Sequence, residues 1–364
     1  MIKSVDISEL KALIELCKLN DTAQKFKGEI TPSLQQIASK NGVAAWIYKR
    51  YKSGLLKELD DAHMSQWKSV YFNNTILYQK YLQVFNKVQV LLKEKGIPLI
   101  GLKGIALSSE LYSDEGLRPM SDIDILVPEG RGSEALEVLL MNGAKQTVVP
   151  RSEIHEQIDA HVRAIKVDGI LVEIHQRLFS VGSVFYLKNT DRFSNSVSIE
   201  KQDIVIERLN DKLMAYHLVA HAIKGIQMGG LRLGWLLDIA LLIKPIENKE
   251  AFIQSVLSIK PKHKKALREI FNMALLFIPD QALTDTTQYE KVLAKICHLM
   301  EEKDLSAKHR LINLFHLVNV PGFKSKIKLI WHEFFPQKSY MNYRYQTQAK
   351  ESLWRLYAKR LIRR

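Results

Sequence analysis

Two aspartates separated by a single residue are the clearest chemical feature of this sequence. The segment Ser121–Val127 is SDIDILV, and its strict alternation of polar and apolar residues predicts a β-strand. Successive strand side chains point to opposite faces, so Asp122 and Asp124 share one face while the apolar residues face the core. Adjacent carboxylates repel each other and favour hard divalent cations. The pattern predicts a metal site, although a half-exposed edge strand with two solvated aspartates shows the same alternation.

A second alternating segment supplies a third carboxylate. In Leu171–His175 (LVEIH), Glu173 and His175 share one face and the apolar residues share the other. If this strand lies beside the strand of the two aspartates, Glu173 completes a cluster of three carboxylates. The histidines of this region, His155, His161 and His175, are more typical of structural hydrogen bonding than of ligation to a hard metal.

A glycine loop stands upstream, where a predicted strand (IPLIGL) gives way to a predicted helix that begins near Ile105. Its sequence, Gly101-Leu102-Lys103-Gly104, lets backbone N–H groups approach phosphate oxygens. The helix N-terminus adds positive potential and Lys103 adds a full charge. This spacing therefore predicts phosphate binding, and an ordinary tight turn is the alternative.

The elements that must position these residues follow from hydrophobic periodicity. Residues 1–95 repeat apolar positions at helical spacing, and the same spacing returns over residues 209–364. Between them, residues 96–208 alternate strands and helices in the manner of an α/β unit. Asp168-Gly169 is the strongest hairpin signal in the chain. We therefore expect three consecutive segments: an N-terminal helical region, a core that carries the chemistry, and a C-terminal helical domain with a basic tail.

Composition excludes several classes of protein. With 364 residues, 46% of them apolar and 25% charged, the chain has an ordinary globular composition. Its only cysteines, Cys17 and Cys297, lie too far apart for a zinc finger or a disulfide scaffold and fit a reducing cytosol. The N-terminus lacks the pattern of a signal peptide. No apolar stretch reaches the ~20 residues needed to span a bilayer. We expect a cytoplasmic protein without a transmembrane segment.

Basic and aromatic residues are concentrated at the C-terminal end. The net charge of the chain is +14, and Glu301–Arg364 contributes +9, from 14 Lys and Arg against 5 acidic residues. Such a tail can bind a nucleic-acid backbone or an anionic membrane surface. We favour an amphipathic helix over Thr347–Arg363 that packs against the body of the protein. The residues expected in that packed face are Leu353, Trp354, Leu356, Tyr357 and Leu361.

The predicted helices of residues 211–243 contain two further cations and a pair of histidines. Lys224 and Arg232 are expected to line a cleft opposite the carboxylates and to reach a nucleotide, with helix–helix packing as the alternative. His217 and His221 lie one helical turn apart, as zinc-binding pairs do, yet no third ligand is evident at a suitable spacing.

Together these motifs resemble the DNA polymerase β-like nucleotidyltransferase superfamily, in which a glycine loop precedes a DxD strand and a later strand adds the third carboxylate. More narrowly, GLKGIALSSELYSDEGLRPMSDIDILV, VEIHQRL and HLVAHAIKGIQMGGLRLGWLLDIALLI are similar to a poorly characterised bacterial nucleotidyltransferase family with an LKG loop and a helical C-terminal half. The resemblance covers roughly residues 80–364. It implies an α+β fold, with a small mixed-sheet nucleotidyltransferase core flanked by N-terminal and C-terminal helical regions.

The resemblance also implies a reaction. A nucleoside monophosphate passes from an NTP, ATP being one candidate, to an acceptor hydroxyl or amine with Mg²⁺ or Mn²⁺ as cofactor. Asp122, Asp124 and Glu173 would ligate the metal, and Glu173 would also accept the proton of the acceptor. Phosphate binding would fall to the loop and to nearby cations: Gly101, Lys103, Gly104, Arg118, Lys224 and Arg232.

Two alternatives remain open within this resemblance. Lys103-Gly104 stands where the superfamily usually has Gly-Ser, so a catalytically inactive relative that binds nucleotide or nucleic acid is the second hypothesis. Arg118 could equally cap its own loop. Sugars, small molecules, protein side chains and RNA ends all offer a suitable nucleophile, so the acceptor stays open, as does the oligomeric state.

Overall fold

The structure is a computed structural model that describes residues 6–26, 28–59, 61–150, 152–188, 192–279, 286–301, 317–345 and 352–362. Helices dominate these residues, and several begin at a side-chain cap: Asp6, Thr31 and Asn210 accept hydrogen bonds from backbone amides of the first helical turn. The helices are α1 (Ile7–Cys17), α2 (Pro32–Lys40), α3 (Ala44–Lys52), α4 (Asp61–Glu94), α5 (Lys103–Glu110), α6 (Gly132–Met141), α7 (Glu153–Ile158), α8 (Asp211–Met228), α9 (Leu233–Ile243), α10 (Lys249–Leu257), α11 (Lys264–Leu275), α12 (Thr286–Met300), α13 (Phe323–Phe334), α14 (Lys338–Tyr345) and α15 (Leu353–Ile362).

The strands are short, and most of them lie in the middle of the chain. They are β1 (Gln24–Lys25), β2 (Leu56–Lys57), β3 (Ile100–Gly101), β4 (Ile123–Leu126), β5 (Lys145–Gln146), β6 (Ile165–Val167), β7 (Ile170–His175), β8 (Ser196–Lys201) and β9 (Ile204–Leu209).

The chain forms two compact units whose segments alternate along the sequence, because strands pair with partners that are distant in the chain. The three consecutive segments expected from the sequence stay a prediction. The first unit comprises Met1–Gln83, Leu102–Ser121 and Ser194–Ala307, and the second comprises Val84–Gly101, Asp122–Phe193 and Lys308–Arg364.

The second unit contains the sheet that carries the aspartates. Its strands lie in the order β5-β6-β7-β4-β3, with β4 parallel to β7 and the other neighbours antiparallel. This confirms the mixed sheet. The Asp168-Gly169 turn between β6 and β7 is also confirmed, with φ angles of 48° and 85°. Because β4 has a neighbour on each side and is buried throughout, the alternative of a half-exposed edge strand is wrong.

The first unit is built mainly from helices, with α8, α9, α10 and α11 packed against one another and α1 against α12. Asn41 joins two parts of this unit: its side chain accepts a hydrogen bond from the Leu233 amide and its carbonyl accepts one from the Gly234 amide. These bonds satisfy amide donors at the start of α9. The unit also contains the antiparallel hairpin of β8 and β9, which the sequence analysis does not predict.

The C-terminal helix agrees only partly with its prediction. Leu356 is fully buried, and the Tyr357 hydroxyl donates a 2.7 Å hydrogen bond to the Pro336 carbonyl, so this helix does pack against its own unit. Trp354 is 74% exposed, and the expectation that it packs is wrong because it lies on the outer side of α15. Residues 347–351, Arg363 and the Leu361 side chain lie outside the described residues. Within the described ranges, no helix has both the length and the apolar character needed to cross a bilayer.

Candidate functional site

Strand pairing brings two of the predicted carboxylates together. In the register between β4 and β7, Asp124 faces Glu173, Ile125 faces Ile174 and Leu126 faces His175. Side chains at matched positions of neighbouring strands lie on the same face of a sheet. The adjacency on which the three-carboxylate hypothesis depends is therefore present for Asp124 and Glu173.

A histidine joins these two carboxylates. Nε2 of His175 lies 2.8 Å from Oδ1 of Asp124 and 3.7 Å from Oε2 of Glu173. One potential ligand atom from each of the three residues lies within 4.8 Å of the other two. Among the described residues this is the only group of three or more His, Cys, Asp or Glu with such geometry. We call Asp124, Glu173 and His175 the acidic cluster.

The environment of the acidic cluster favours the ionised form of Glu173. Asp124 is 4% exposed and Glu173 is partly exposed. Interaction with the His175 imidazole is the main cause that holds the pKa of Glu173 below its usual range, against the opposing effect of burial. Burial lowers the pKa of the neighbouring His161, and the nearby His175 lowers it further. At neutral pH the Glu173 carboxylate is therefore anionic and the neighbouring His161 neutral, which suits a cation.

Asp122 lies directly before β4 and is half-buried. It is not a member of the acidic cluster, and its role as a metal ligand stays a prediction. His161 forms an antiparallel bridge with His175, and their rings stand edge to face with centroids 5.4 Å apart. His155 hydrogen-bonds the Ser152 hydroxyl at 2.8 Å.

The glycine loop does lie between a strand and a helix, as predicted. Gly101 ends β3, where it faces Ile125 of β4 in the register, and Lys103 begins α5. Lys103 has a φ of +40°, a region that residues other than glycine seldom occupy. Backbone strain of this kind costs about 1–3 kcal/mol and is concentrated at functional sites. Binding of phosphate by this lysine stays a prediction.

Gly104 leaves room for two neighbouring side chains of the first unit. A Cβ at this position would lie 2.8 Å from Sδ of Met120 and 3.1 Å from Nη1 of Arg118. Any larger residue would therefore push against the segment that precedes β4.

Arg118 is held by an acidic residue that the sequence analysis does not place in the site. Its Nε and Nη2 donate to the two carboxylate oxygens of Asp238 at 2.8 and 2.9 Å. Asp238 is 2% exposed and also accepts a 2.7 Å hydrogen bond from the Tyr112 hydroxyl. The proximity of this carboxylate adds to burial in raising the pKa of Tyr112 well above its ordinary value. A lone acid in the apolar segment GWLLDIALLI is the signal that points to this buried pair.

The two cations of the C-terminal helices lie in the first unit. Lys224 is exposed on α8, and the exposed Arg232 guanidinium lies 5.5 Å from the Trp235 ring centroid. Gly225 permits close contact between α8 and α9, since a Cβ there would lie 2.2 Å from the Trp235 ring. Helix–helix packing thus accounts for Trp235. Contact of Lys224 and Arg232 with a nucleotide stays a prediction.

The zinc alternative is not supported in the described part of the chain. The rings of His217 and His221 are 6.4 Å apart, and no third ligand joins them there. The His221 ring instead stands edge to face against Trp235, at 5.3 Å.

The family described as uncharacterised nucleotidyltransferase matches residues 31–277, which include both the acidic cluster and the glycine loop. The chain belongs to this nucleotidyltransferase family. Membership identifies it as a transferase of nucleotidyl groups. This nucleotidyltransferase has no significant match among curated protein sequences.

Three solved structures show distant similarity to this nucleotidyltransferase. The solution structure of the antibiotic-resistance factor ANT(2'')-Ia is 11% identical, covers 51% of this chain and 92% of its own, and gives a TM-score of 0.37. The crystal structure of ANT(2'')-Ia in complex with adenylyl-2''-tobramycin is 12% identical over 50% and 99%, with a TM-score of 0.38. An antigenic nucleotidyltransferase-like protein from Paracoccidioides brasiliensis is 15% identical over 55% and 92%, with a TM-score of 0.27.

Proposed function

We propose that this nucleotidyltransferase transfers a nucleoside monophosphate from an NTP to a hydroxyl or amine of its acceptor, with Mg²⁺ or Mn²⁺ bound at the acidic cluster. The observation that carries the proposal is the facing pair Asp124 and Glu173, joined by His175 within ligand distance. A buried carboxylate beside a second carboxylate needs a nearby positive charge.

The donor set of the acidic cluster fits a hard divalent cation. Carboxylate oxygens are the ligands that Mg²⁺ and Mn²⁺ prefer, and an imidazole nitrogen suits several transition metals. When bound, the ion would neutralise phosphate charge and lower the pKa of the acceptor hydroxyl. Asp122 would add a further oxygen from the start of the same strand.

Three residues of the chain have separate roles in the proposed reaction. Asp124 and Glu173 bind the cation, and His175 holds the Asp124 carboxylate in place through their 2.8 Å hydrogen bond. Glu173 is the more exposed of the two carboxylates and accepts the proton of the attacking acceptor group. The acceptor oxygen or nitrogen then bonds to the α-phosphorus, and pyrophosphate leaves with the electrons of the bond that breaks.

Phosphate binding is assigned to the glycine loop and nearby cations. Lys103 contributes a charge, and the amides of the first turn of α5 contribute hydrogen-bond donors. Arg118 keeps its Nη1 group within 3.1 Å of where a Gly104 side chain would begin. Lys224 and Arg232 remain proposed contacts. Cys17 and Cys297 are free and buried, which fits the cytoplasm, where NTPs are abundant.

The test is pyrophosphate release from each of the four NTPs, with Mg²⁺ or Mn²⁺ and a panel of sugar, aminoglycoside, protein and RNA acceptors. We expect one donor to give pyrophosphate and a labelled product. Asp124→Asn and Glu173→Gln should lower the rate about 10²-fold or more, as loss of groups that stabilise a transition state does. Glu137→Gln, an exposed carboxylate on α6, is the matched control. NTP binding without turnover under every condition would favour the inactive relative instead.

A further inference from the structure

We propose that the first unit contains a second binding site, distinct in residues from the proposed catalytic machinery, for the phosphoryl group of a small anion beside Arg50. A cavity of about 180 Å³ lies there, and its polar lining includes Asn20, Asp21, Trp46, Lys49, Arg50 and Lys244. Engineered cavities of about 150 Å³ admit a molecule the size of benzene, whereas sites for larger ligands measure about 300–1,000 Å³. The volume therefore fits inorganic phosphate or the phosphoryl end of a small ester.

Arg50 is a buried cation that the protein itself leaves incompletely compensated. It is 4% exposed, and its guanidinium donates to the backbone oxygen and the side-chain oxygen of Asn20, at 3.1 and 2.5 Å. Both acceptors are neutral, and Nε has no hydrogen-bond partner among the described residues. The hydrogen bonds of the guanidinium go to Asn20 and not to a carboxylate, and the exposed Asp21 attracts it only at longer range. Since a buried unpaired charge is costly, an anionic partner is expected at this position.

The remaining charges of the lining leave the cavity positive. Lys49 is paired with Asp114 at 2.6 Å. Lys244 contacts Asp21 at 3.1 Å, but the Asp21 side chain is 89% exposed, so water weakens this pair. With Asp114 included, the three cations of the lining stand against two carboxylates, so one positive charge remains in excess.

A second donor group in the lining also has no acceptor in the described structure. The indole Nε1 of Trp46 is buried and has no hydrogen-bond partner, as is the case for Nε of Arg50. Indole and guanidinium groups donate hydrogen bonds and accept none. A phosphoryl group offers several acceptor oxygens and a negative charge, and Arg50 would bind it in exchange for a hydrogen bond to the neutral Asn20. These two donor groups favour an anionic ligand over a cationic one.

The experiment measures binding of inorganic phosphate by calorimetry and by tryptophan fluorescence, at constant ionic strength, with a chelator and without nucleotide. Glycerol 3-phosphate forms a second arm, which separates free phosphate from a phosphate ester as the natural source. We expect saturable binding of at least one of the two ligands, and Arg50→Lys should weaken it about tenfold or more, because the paired hydrogen bonds are lost.

Two further substitutions should change the affinity for the phosphate ligand in opposite directions. Lys244→Met should weaken binding several-fold, and Asp21→Asn should strengthen it, because they remove a cation and an anion from the same lining. Lys52→Met is the matched control, since Lys52 is an exposed residue of α3 outside the cavity. If Arg50→Lys does not fold, Lys244→Met and Asp21→Asn test the proposal instead. Both side chains are partly exposed, so these substitutions should leave the fold intact.

Three results would overturn the proposal. The first is the absence of saturable binding of either ligand by the wild-type protein. The second is an unchanged dissociation constant in folded Arg50→Lys, or in both Lys244→Met and Asp21→Asn. The third is loss of binding in Lys103→Ala with no change in Arg50→Lys, which would assign the anion to the glycine loop.

Discussion

Asp124 and Glu173 occupy facing positions on two parallel strands, although the chain passes through α6, β5, α7 and β6 between them. A shift of the register by one residue would turn one carboxylate to the opposite face of the sheet. The pairing of β4 with β7 is therefore what makes a two-carboxylate metal site possible in this chain.

Asp238 is predicted to be essential for stability. Asp238→Asn should lower the free energy of unfolding by about 3–5 kcal/mol, because it leaves the Arg118 guanidinium without its buried counter-charge. Asp168→Asn is the control: its carboxylate pairs with Lys87 at the surface and should contribute only about 0–1 kcal/mol. Urea denaturation of both variants measures the difference. Equal losses would show that Asp238 has no special structural role.

Gly104 is predicted to accept an added Cβ only at a cost in stability. Gly104→Ala should destabilise the protein by about 1–3 kcal/mol, because the new Cβ would meet Met120 and Arg118 at 2.8–3.1 Å. Gly229→Ala is the comparison, since a Cβ there meets nothing within 4 Å and the variant reports only the backbone cost of losing a glycine. Thermal denaturation compares the two. A Gly104→Ala variant as stable as Gly229→Ala would contradict the close packing.

Lys103 is predicted to lower the stability of the protein through its backbone strain and to raise the affinity for NTP through its charge. Lys103→Ala should weaken NTP binding by about 1–3 kcal/mol, because a charge-assisted contact is lost. Lys103→Gly should weaken it similarly and yet raise stability by a few tenths of a kcal/mol or more, since glycine adopts a positive φ without strain. Calorimetric titration with NTP and urea denaturation report the two effects separately. Unchanged NTP affinity in both variants would show that the loop is an ordinary turn and does not bind phosphate.

The Asp114 interactions predict a specific pH dependence of stability. Burial raises the pKa of Asp114, but hydrogen bonds from Lys49 and the Tyr71 hydroxyl outweigh it, so the pKa lies below its usual value. Because the folded-state pKa is depressed, this stabilisation is present above about pH 4 and is lost as the pH falls through the folded-state pKa.

The corresponding variant is Asp114→Asn. Its urea midpoint should lie below that of the wild type at pH 7, and the gap should narrow at pH 3. Measurement in phosphate-free buffer avoids interference from the cavity that Lys49 lines. A gap that is the same at both pH values would exclude ionisation of Asp114 as its cause.

Local patterns predict the elements of the sheet but not their neighbours. Alternation in SDIDILV and LVEIH, and the turn at Asp168-Gly169, specify β4, β6 and β7 because these signals depend on adjacent residues. Whether β4 lies beside β7 depends on pairing between segments that are distant in the chain. Local sequence patterns do not specify that pairing. The β8–β9 hairpin escapes prediction because its turn, Gln202-Asp203, lacks the glycine that usually marks positive φ angles.

In the candidate site, too, local features are visible in the sequence and long-range contacts are not. The alternation that puts Glu173 and His175 on one face is visible in the sequence, but the 2.8 Å contact between His175 and Asp124 depends on strand pairing. The role of Asp238 could not be predicted for a similar reason, since its partner Arg118 lies far away in the chain. Trp354 shows that a hydrophobic stripe does not specify how much of it is covered: Leu356, two residues further on, is buried while Trp354 is exposed.

The central claim is that Asp124 and Glu173 bind the divalent metal of a nucleotidyl transfer reaction. Mn²⁺ titration followed by electron paramagnetic resonance, with and without NTP, tests it most directly because it needs no knowledge of the acceptor. We predict saturable Mn²⁺ binding that Asp124→Asn and Glu173→Gln each weaken about tenfold or more, and that Glu137→Gln leaves unchanged. The same Mn²⁺ affinity in all four proteins, or no binding by the wild type even with NTP present, would contradict it.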